Sequence, residues 1–588
     1  MKGFFKFVFA SMLGFILSFI VLGLLLVVGI VGLISAAGEE PAKVEANSII
    51  HFSLNYPIVE RTVKNPLDNI DIAGIQSNKT LGLNDILAAL KRAKTDDNIK
   101  GIYLDLSGVQ GGMATVEEVR NGLLDFKKSK KFILAYSEIY SQKAYYLASV
   151  ADKIYINPEG ILEFTGLSSQ SPFFKGALEK LEIEAQVIKV GTYKSAVEPF
   201  ILDKMSDANR KQVTSFLGSL YQHMLSGVSS SRKISTDSLF AMANQLKIQK
   251  AQDAVTYKLV DGLRYKDQVI DELKTRTGID KKTDLKSVSL MDYMKANKPE
   301  EGDLDSRVAV VYASGEITGG EGDDESIGSE RISKALRKVR LDPKIKAVVF
   351  RINSGGGSAL ASDVIWREVA LTKKVKPVIV SMGDVAASGG YYIACAADSI
   401  FAQPNTITGS IGVFGIIPNM QKFFNNKLGI TFDGVKTAEH ADLGSTVRPL
   451  TASERFIIQT EVNRIYATFT KRVADGRKKT QAYVDSIGQG RVWSGTEALK
   501  IGLVDRLGNI DDAIRSAAKM AKVKNYKLVS YPVQKDPFEA IFSGGEDKLK
   551  EHFSKLQFGE NYVYYQQLQT ALKITGIQAR LPYTLNIN

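Results

Sequence analysis

The chain is poor in the residues that build disulfides and metal centres. Its single cysteine, Cys395, excludes an intramolecular disulfide. Its four histidines, His51, His223, His440 and His552, offer no pair at metal-ligand spacing, so no zinc site is expected. Nothing else in the sequence calls for a metal or a cofactor. A basic, aromatic-interleaved recognition motif is also missing. The net charge of +12 comes from lysines spread along the chain, which is the pattern of a solvated surface, and no nucleic-acid partner is expected.

Charge is missing altogether from Phe7 to Ala37, where Leu, Ile, Val and Phe dominate. A bilayer is spanned by about 20 apolar residues, and this run exceeds that. It is also much longer than the roughly 7–15 apolar residues of a cleaved signal peptide, although Ser35-Ala36-Ala37 supplies small residues of the kind found at cleavage sites. Lys2 and Lys6 precede the run, and Glu39 and Glu40 follow it. The positive-inside rule then places the N-terminus in the cytoplasm and the body outside. Residues 1–40 are thus expected to form a short stub and a membrane anchor that contacts lipid.

Beyond the anchor, the 588-residue chain contains itself twice. Ile86–Leu90 matches Ile332–Leu336, Ile99-Lys100 matches Ile345-Lys346, and Tyr145–Ala148 matches Tyr391–Ala394. Asp152 pairs with Asp398, Pro158 with Pro404 and Gly166 with Gly412, all at one separation of 246 positions. Leu259-Val260-Asp261 and Leu503-Val504-Asp505 follow at a nearly equal separation. Within the second copy, the β-rich runs Ala347–Ile352 and Pro377–Ser381 alternate with helical patterns at Ala361–Leu371 and Gly389–Ala397. This predicts an α/β fold with parallel strands. The polar stretch Lys295–Ser306, which carries Gly and Pro, is the expected boundary. The repeats are placed at 41–300 and 301–537, and the tail 538–588 has no counterpart and no assignment.

The chemistry lies where the copies differ. In the second copy Ser388 follows a strand and opens a helix, a position that exposes a hydroxyl and favours developing negative charge. The first copy has Gln142 in that register, which cannot be a nucleophile. Alone, Ser388 reads as readily as a helix N-cap. Upstream, Asn353-Ser-Gly-Gly-Gly-Ser358 provides backbone N–H groups able to approach a ligand closely. It lacks the Lys-Ser/Thr ending of a phosphate loop, and it suits an oxyanion. A serine nucleophile needs a base, and a desolvated lysine can serve. Lys194 sits in a mostly apolar, Gly-punctuated stretch of the first copy. The corresponding second-copy segment, Val435–Ala441, has an acidic residue near that register. Most lysines are surface lysines, so Lys194 gains its weight only together with Ser388.

The motifs Gly191–Phe200, Gly383–Tyr392, Ile407–Gly415 and Gly490–Ala498 together resemble signal peptide peptidase A of the long two-copy type, from the anchor to about residue 530. The resemblance implies two tandem ClpP/crotonase-like domains and a Ser-Lys dyad that degrades released signal peptides and other unfolded apolar peptides. It implies a homo-oligomer, specifically a tetramer, at the bacterial inner membrane with its body on the periplasmic side. Carried over, Ser388 is the nucleophile and Lys194 the general base. Ser410 orients the lysine, and Gly356 or Gly357 with Gly389 donates the oxyanion N–H groups. Three other readings share part of the pattern: a crotonase-type acyl-CoA enzyme, a non-catalytic membrane scaffold, and a Ser-His-Asp enzyme using His440.

Overall fold

The computed structural model describes residues 2–36, 44–62, 79–296, 303, 305–534, 554, 557, 562 and 577–581. The expected boundaries at 40/41 and 300/301, and most of the tail, lie outside these residues. The apolar N-terminal run forms one helix, Lys2–Ala36. Among the described residues it is the one helix long and apolar enough to cross a membrane.

Two parallel sheets carry the body. The first runs in the order Gly262–Leu263, Lys153–Leu162, Phe132–Tyr140, Ile99–Asp105, Ser48–Phe52 and Ser287–Ser289, with every pairing parallel. The second follows Val492–Ser494, Ile407–Gly409, Val378–Ala387, Ile345–Ser354, Arg307–Ser314 and Lys527–Tyr531. Only the pairing of Val492–Ser494 with Ile407–Gly409 is antiparallel on that path. Helices cover both faces, which is why strands such as Ile345–Ser354 are almost continuously apolar and buried.

The sequence repeat is visible bond by bond. Tyr145 Oη donates to the Leu259 carbonyl at 2.8 Å, and Tyr391 Oη donates to the Leu503 carbonyl at 2.7 Å. Asp261 accepts from the Ile154 N–H at 2.8 Å, as Asp505 does from Ile400 at 2.7 Å. Arg232 pairs with Asp261, and Arg477 with Asp505. The repeated tyrosines and aspartates therefore persist because each satisfies buried backbone groups that the shared fold creates. The long helices Asp207–Arg232 and Ala452–Arg477 also correspond. Their N-caps, Ser206 and Thr451, each accept a backbone N–H three residues on.

A third sheet joins the halves. Its order is Ser326–Gly328, Glu316–Thr318, Gly356–Ser358, Ile577–Arg580, Val413–Asn419 and Glu184–Val190. The first repeat thus lends Glu184–Val190 to the second, antiparallel to Val413–Asn419 over seven paired residues. Beside it lies a buried ionic cluster spanning the halves. Arg351, in the second repeat, lies 2.7 Å from Glu60 and 2.7 Å from Glu118, both contributed by the first.

Candidate active site

Ser388 stands at the junction of the strand Val378–Ala387 and the helix Gly389–Ala394. Its backbone, at φ 55° and ψ −116°, lies in a region that non-glycine residues rarely occupy, at a cost on the order of 1–3 kcal/mol. The conformation is held by its N–H, which donates to the Gly409 carbonyl at 2.8 Å. Its side chain makes no helix-capping bond, which removes the N-cap interpretation. The hydroxyl instead meets the amine of Lys194 at 2.8 Å.

Lys194 arrives from the first repeat, just after the strand Glu184–Val190 and before the turn Ser195–Val197. It is fully buried. Its Nζ also lies 3.1 Å from Ser410 Oγ and 3.3 Å from the Ser410 carbonyl. The approach requires Gly490, at φ 80°, because a methyl group there would lie 2.7 Å from Lys194 Cα. Burial holds the ammonium well below the ordinary lysine value, with no ionic partner among the described residues to offset it. A neutral amine within reach of a hydroxyl is able to accept its proton.

The sign of the pH dependence follows. If Lys194 is the base, its protonation on acidification removes it, and kcat/KM is expected to rise from acidic through neutral to mildly alkaline pH. The acid limb should titrate well below the roughly 10.4 of free lysine. A profile that peaks near pH 5 and collapses above 7 would contradict this. The unfolded chain, with its ordinary lysine, binds the extra proton first. Lys194 therefore makes folding stability increase with pH between its folded and unfolded values.

The glycine loop lies beside Ser388. Gly356 donates its N–H to Ser354 Oγ at 3.1 Å. A methyl group on Gly356 would meet Gly389 N at 2.7 Å, so the loop and the helix start are in close contact. The described part of the tail fills the remaining space. Ile577–Arg580 runs antiparallel to Gly356–Ser358 on one side and to Phe414-Gly415 on the other.

Ser388, Lys194, Ser410, Gly356, Gly357 and Gly389, named from sequence, thus meet in one place, and Ser388 and Lys194 come from the same chain. Gln142, in the register of Ser388, bonds instead to Thr165, Gly166 and the Gly166 carbonyl, closing the equivalent turn of the first repeat. His440 lies in a loop beside Glu439, 3.9 Å away, whereas the partner of the Ser388 hydroxyl is Lys194.

Several supporting residues escaped sequence reasoning. Gln212 donates to the Tyr193 carbonyl and to Ser195 Oγ and accepts from Val492 N–H, fixing the Lys194 turn against the second repeat. Asp384, four residues before the serine, caps a helix of the other repeat by accepting from Thr115 N–H at 2.9 Å. An acidic residue within a serine motif was the available signal for Asp384. Gln212 gave none.

Comparison with known proteins follows the same lines. The model for "Peptidase family S49" matches residues 125–280 and again 370–524. "Protease 4" of Salmonella typhi is 40% identical over 459 residues, 76% of this chain and 74% of its own. "Serine protease SPPA, chloroplastic" of Arabidopsis thaliana is 35% identical over 462 residues, 77% of this chain and 68% of its own. Among solved structures, a ClpP1 mutant from Listeria monocytogenes aligns with 35% of this chain and 94% of its own, at TM-score 0.25 and 19% identity.

Proposed function

The chain belongs to peptidase family S49, with two copies of that family's domain, and from that membership we propose that it is a serine endopeptidase working through a Ser-Lys dyad. The observation that carries this reading is the 2.8 Å contact between Ser388 Oγ and the buried amine of Lys194, which has no ionic partner among the described residues. Ser388 attacks a peptide carbonyl while Lys194 takes its proton. Ser410, 3.1 Å from Nζ, holds the amine in line. The developing oxyanion is met by the N–H groups of Gly357 and Gly389, since that of Gly356 is engaged by Ser354. Lys194 returns the proton to the leaving amine, and water then releases the acyl group.

The substrates on this reading are released signal peptides and other unfolded apolar peptides, bound as an added strand beside the glycine loop. A synthetic signal peptide incubated with the detergent-purified protein should be cut after small or apolar residues. Cuts from a mixed peptide library that fall only beside charged residues would refute that preference. The helix Lys2–Ala36 anchors the protein in the inner membrane with its body outside the cytoplasm. Protease added to spheroplasts should then digest the body, and protection until lysis would reverse the orientation. The expected assembly is a homotetramer. Sedimentation at monomer mass in detergent would exclude it.

A further inference from the structure

Ser388 and Lys194 come from different repeats, so their meeting depends on how the two repeats are held in register. One side chain reaches both. Gln212, on the helix Asp207–Arg232, is fully buried. Its Nε2 lies 3.1 Å from the Tyr193 carbonyl and 3.0 Å from Ser195 Oγ, the two chain neighbours of Lys194. Its Oε1 accepts the Val492 N–H of the second repeat at 3.1 Å. Val492 pairs with Gly409, and the Gly409 carbonyl accepts the Ser388 N–H at 2.8 Å. One amide therefore links both flanks of the lysine to the strand beside the serine, through a single ladder pair.

The orientation of that amide is set from behind. The Glu198 carboxylate accepts from the Ser206 N–H and from Asn209 Nδ2. Asn209 thus turns its Oδ1 to Gln212 Nε2, 3.1 Å away, which leaves Oε1 facing Val492. Two serines on the same helix face add bonds across the junction, Ser215 to Glu497 and Ser219 with Ser494. Those bonds hold the helix to the second repeat away from the Lys194 turn. The matching helix Ala452–Arg477, aligned by its N-cap Thr451, carries Ile457 in the place of Gln212, and Ile457 is exposed. The polar anchor belongs to the copy that carries the lysine.

We propose that Gln212 is a positioning residue that sets Lys194 at its distance from Ser388, an inference that rests on the Ser-Lys reading above. Lys194 Nζ meets Ser388 Oγ at 2.8 Å, and a flexible four-carbon stem keeps that reach only while its backbone is fixed. Without the amide, Tyr193 N–H still donates to the Gln489 carbonyl, but the Ser195 flank loses its tie to the second repeat. A displacement of about 1 Å in a reacting group is enough to cost about 10²-fold in rate.

The test is steady-state kinetics of the full chain on a quenched peptide with Gln212→Met, which keeps the approximate volume and removes the hydrogen bonds. The expected result is a fall in kcat of about 10- to 100-fold with KM within about twofold of wild type. A fluorophosphonate should label Ser388 to the wild-type endpoint at a reduced rate, which separates a displaced base from an unfolded fraction. Ser215→Ala and Ser219→Ala should weaken the same junction and leave kcat unchanged. An equal fall in kcat from either would make the effect a general loosening of the junction and overturn the proposal. So would a low labelling endpoint with normal turnover per labelled site. Wild-type kcat in a folded Gln212→Met protein, alongside an inactive Lys194→Ala, overturns the proposal and leaves the dyad standing. Near-normal turnover by both variants removes both. Should Gln212→Met not fold, Ser195→Ala removes a single oxygen and should still lower kcat with KM held, and an unchanged kcat there overturns the proposal.

Discussion

Lys194→Ala should lower turnover of a peptide substrate about 10²- to 10⁴-fold, the usual contribution of a general base, and Ser388→Ala should leave only background. Both variants are expected to fold. Lys194 contributes a buried amine without an ionic partner among the described residues, so its removal leaves no stranded charge there, and Ser388→Ala removes a single oxygen. Circular dichroism would confirm the fold, and initial rates on a quenched peptide would give the loss. Because the serine and lysine approach within one chain, mixing the two variants should restore nothing. Recovery on mixing would instead mean that functional sites form between chains. Near-normal turnover by a folded Lys194→Ala protein would sink the dyad.

The second large effect concerns stability. Arg351→Ala should destabilise the protein by about 3–5 kcal/mol, because it strands the buried carboxylates of Glu60 and Glu118 without their cation. Denaturant titration followed by circular dichroism would measure it, and a change below about 1 kcal/mol would show that water reaches the cluster. The damage should extend to the chemistry. Glu60 also accepts from Asn353 Nδ2 at 2.9 Å, and Asn353 Oδ1 accepts from the Val385 N–H at 3.1 Å. Those contacts tie the start of the glycine loop to the strand leading to Ser388. Glu118→Gln is predicted to behave differently. Complete burial, reinforced by Glu60, pushes the Glu118 carboxyl up to about 7. The unfolded chain releases that proton first, so Glu118 withdraws stability as pH rises from about 4.5 towards 7. Relative to wild type, Glu118→Gln should therefore gain stability over that window.

The two dyad residues found from sequence share a property: each is an exception to the internal repeat. Ser388 stands opposite Gln142, and Lys194 opposite a segment without a lysine in register, so comparing the copies isolates them. The α/β alternation was equally legible, because apolar strand runs and glycine punctuation are local. What the sequence hid is non-local. Glu60 lies in a short segment with no periodicity, and it matters only because Arg351 folds against it. The loan of Glu184–Val190 to the other repeat's sheet leaves no local trace, since an edge strand reads alike whichever partner it finds. The four-residue strand Ile577–Arg580 lies in a tail without a counterpart, and its pairing is set entirely by the glycine loop and Phe414-Gly415.

Gln142 has a bearing on how the molecule counts its sites. By closing the Thr165-Gly166 turn with three hydrogen bonds, it turns the first repeat's equivalent of the serine position into a clasp. On the Ser-Lys reading, the two copies together supply one reaction centre. A fluorophosphonate titration should therefore saturate at one label per chain. The first copy is constrained by the geometry of that one amine and by the buried contacts of Glu60, Glu118 and Glu184–Val190 with the second copy.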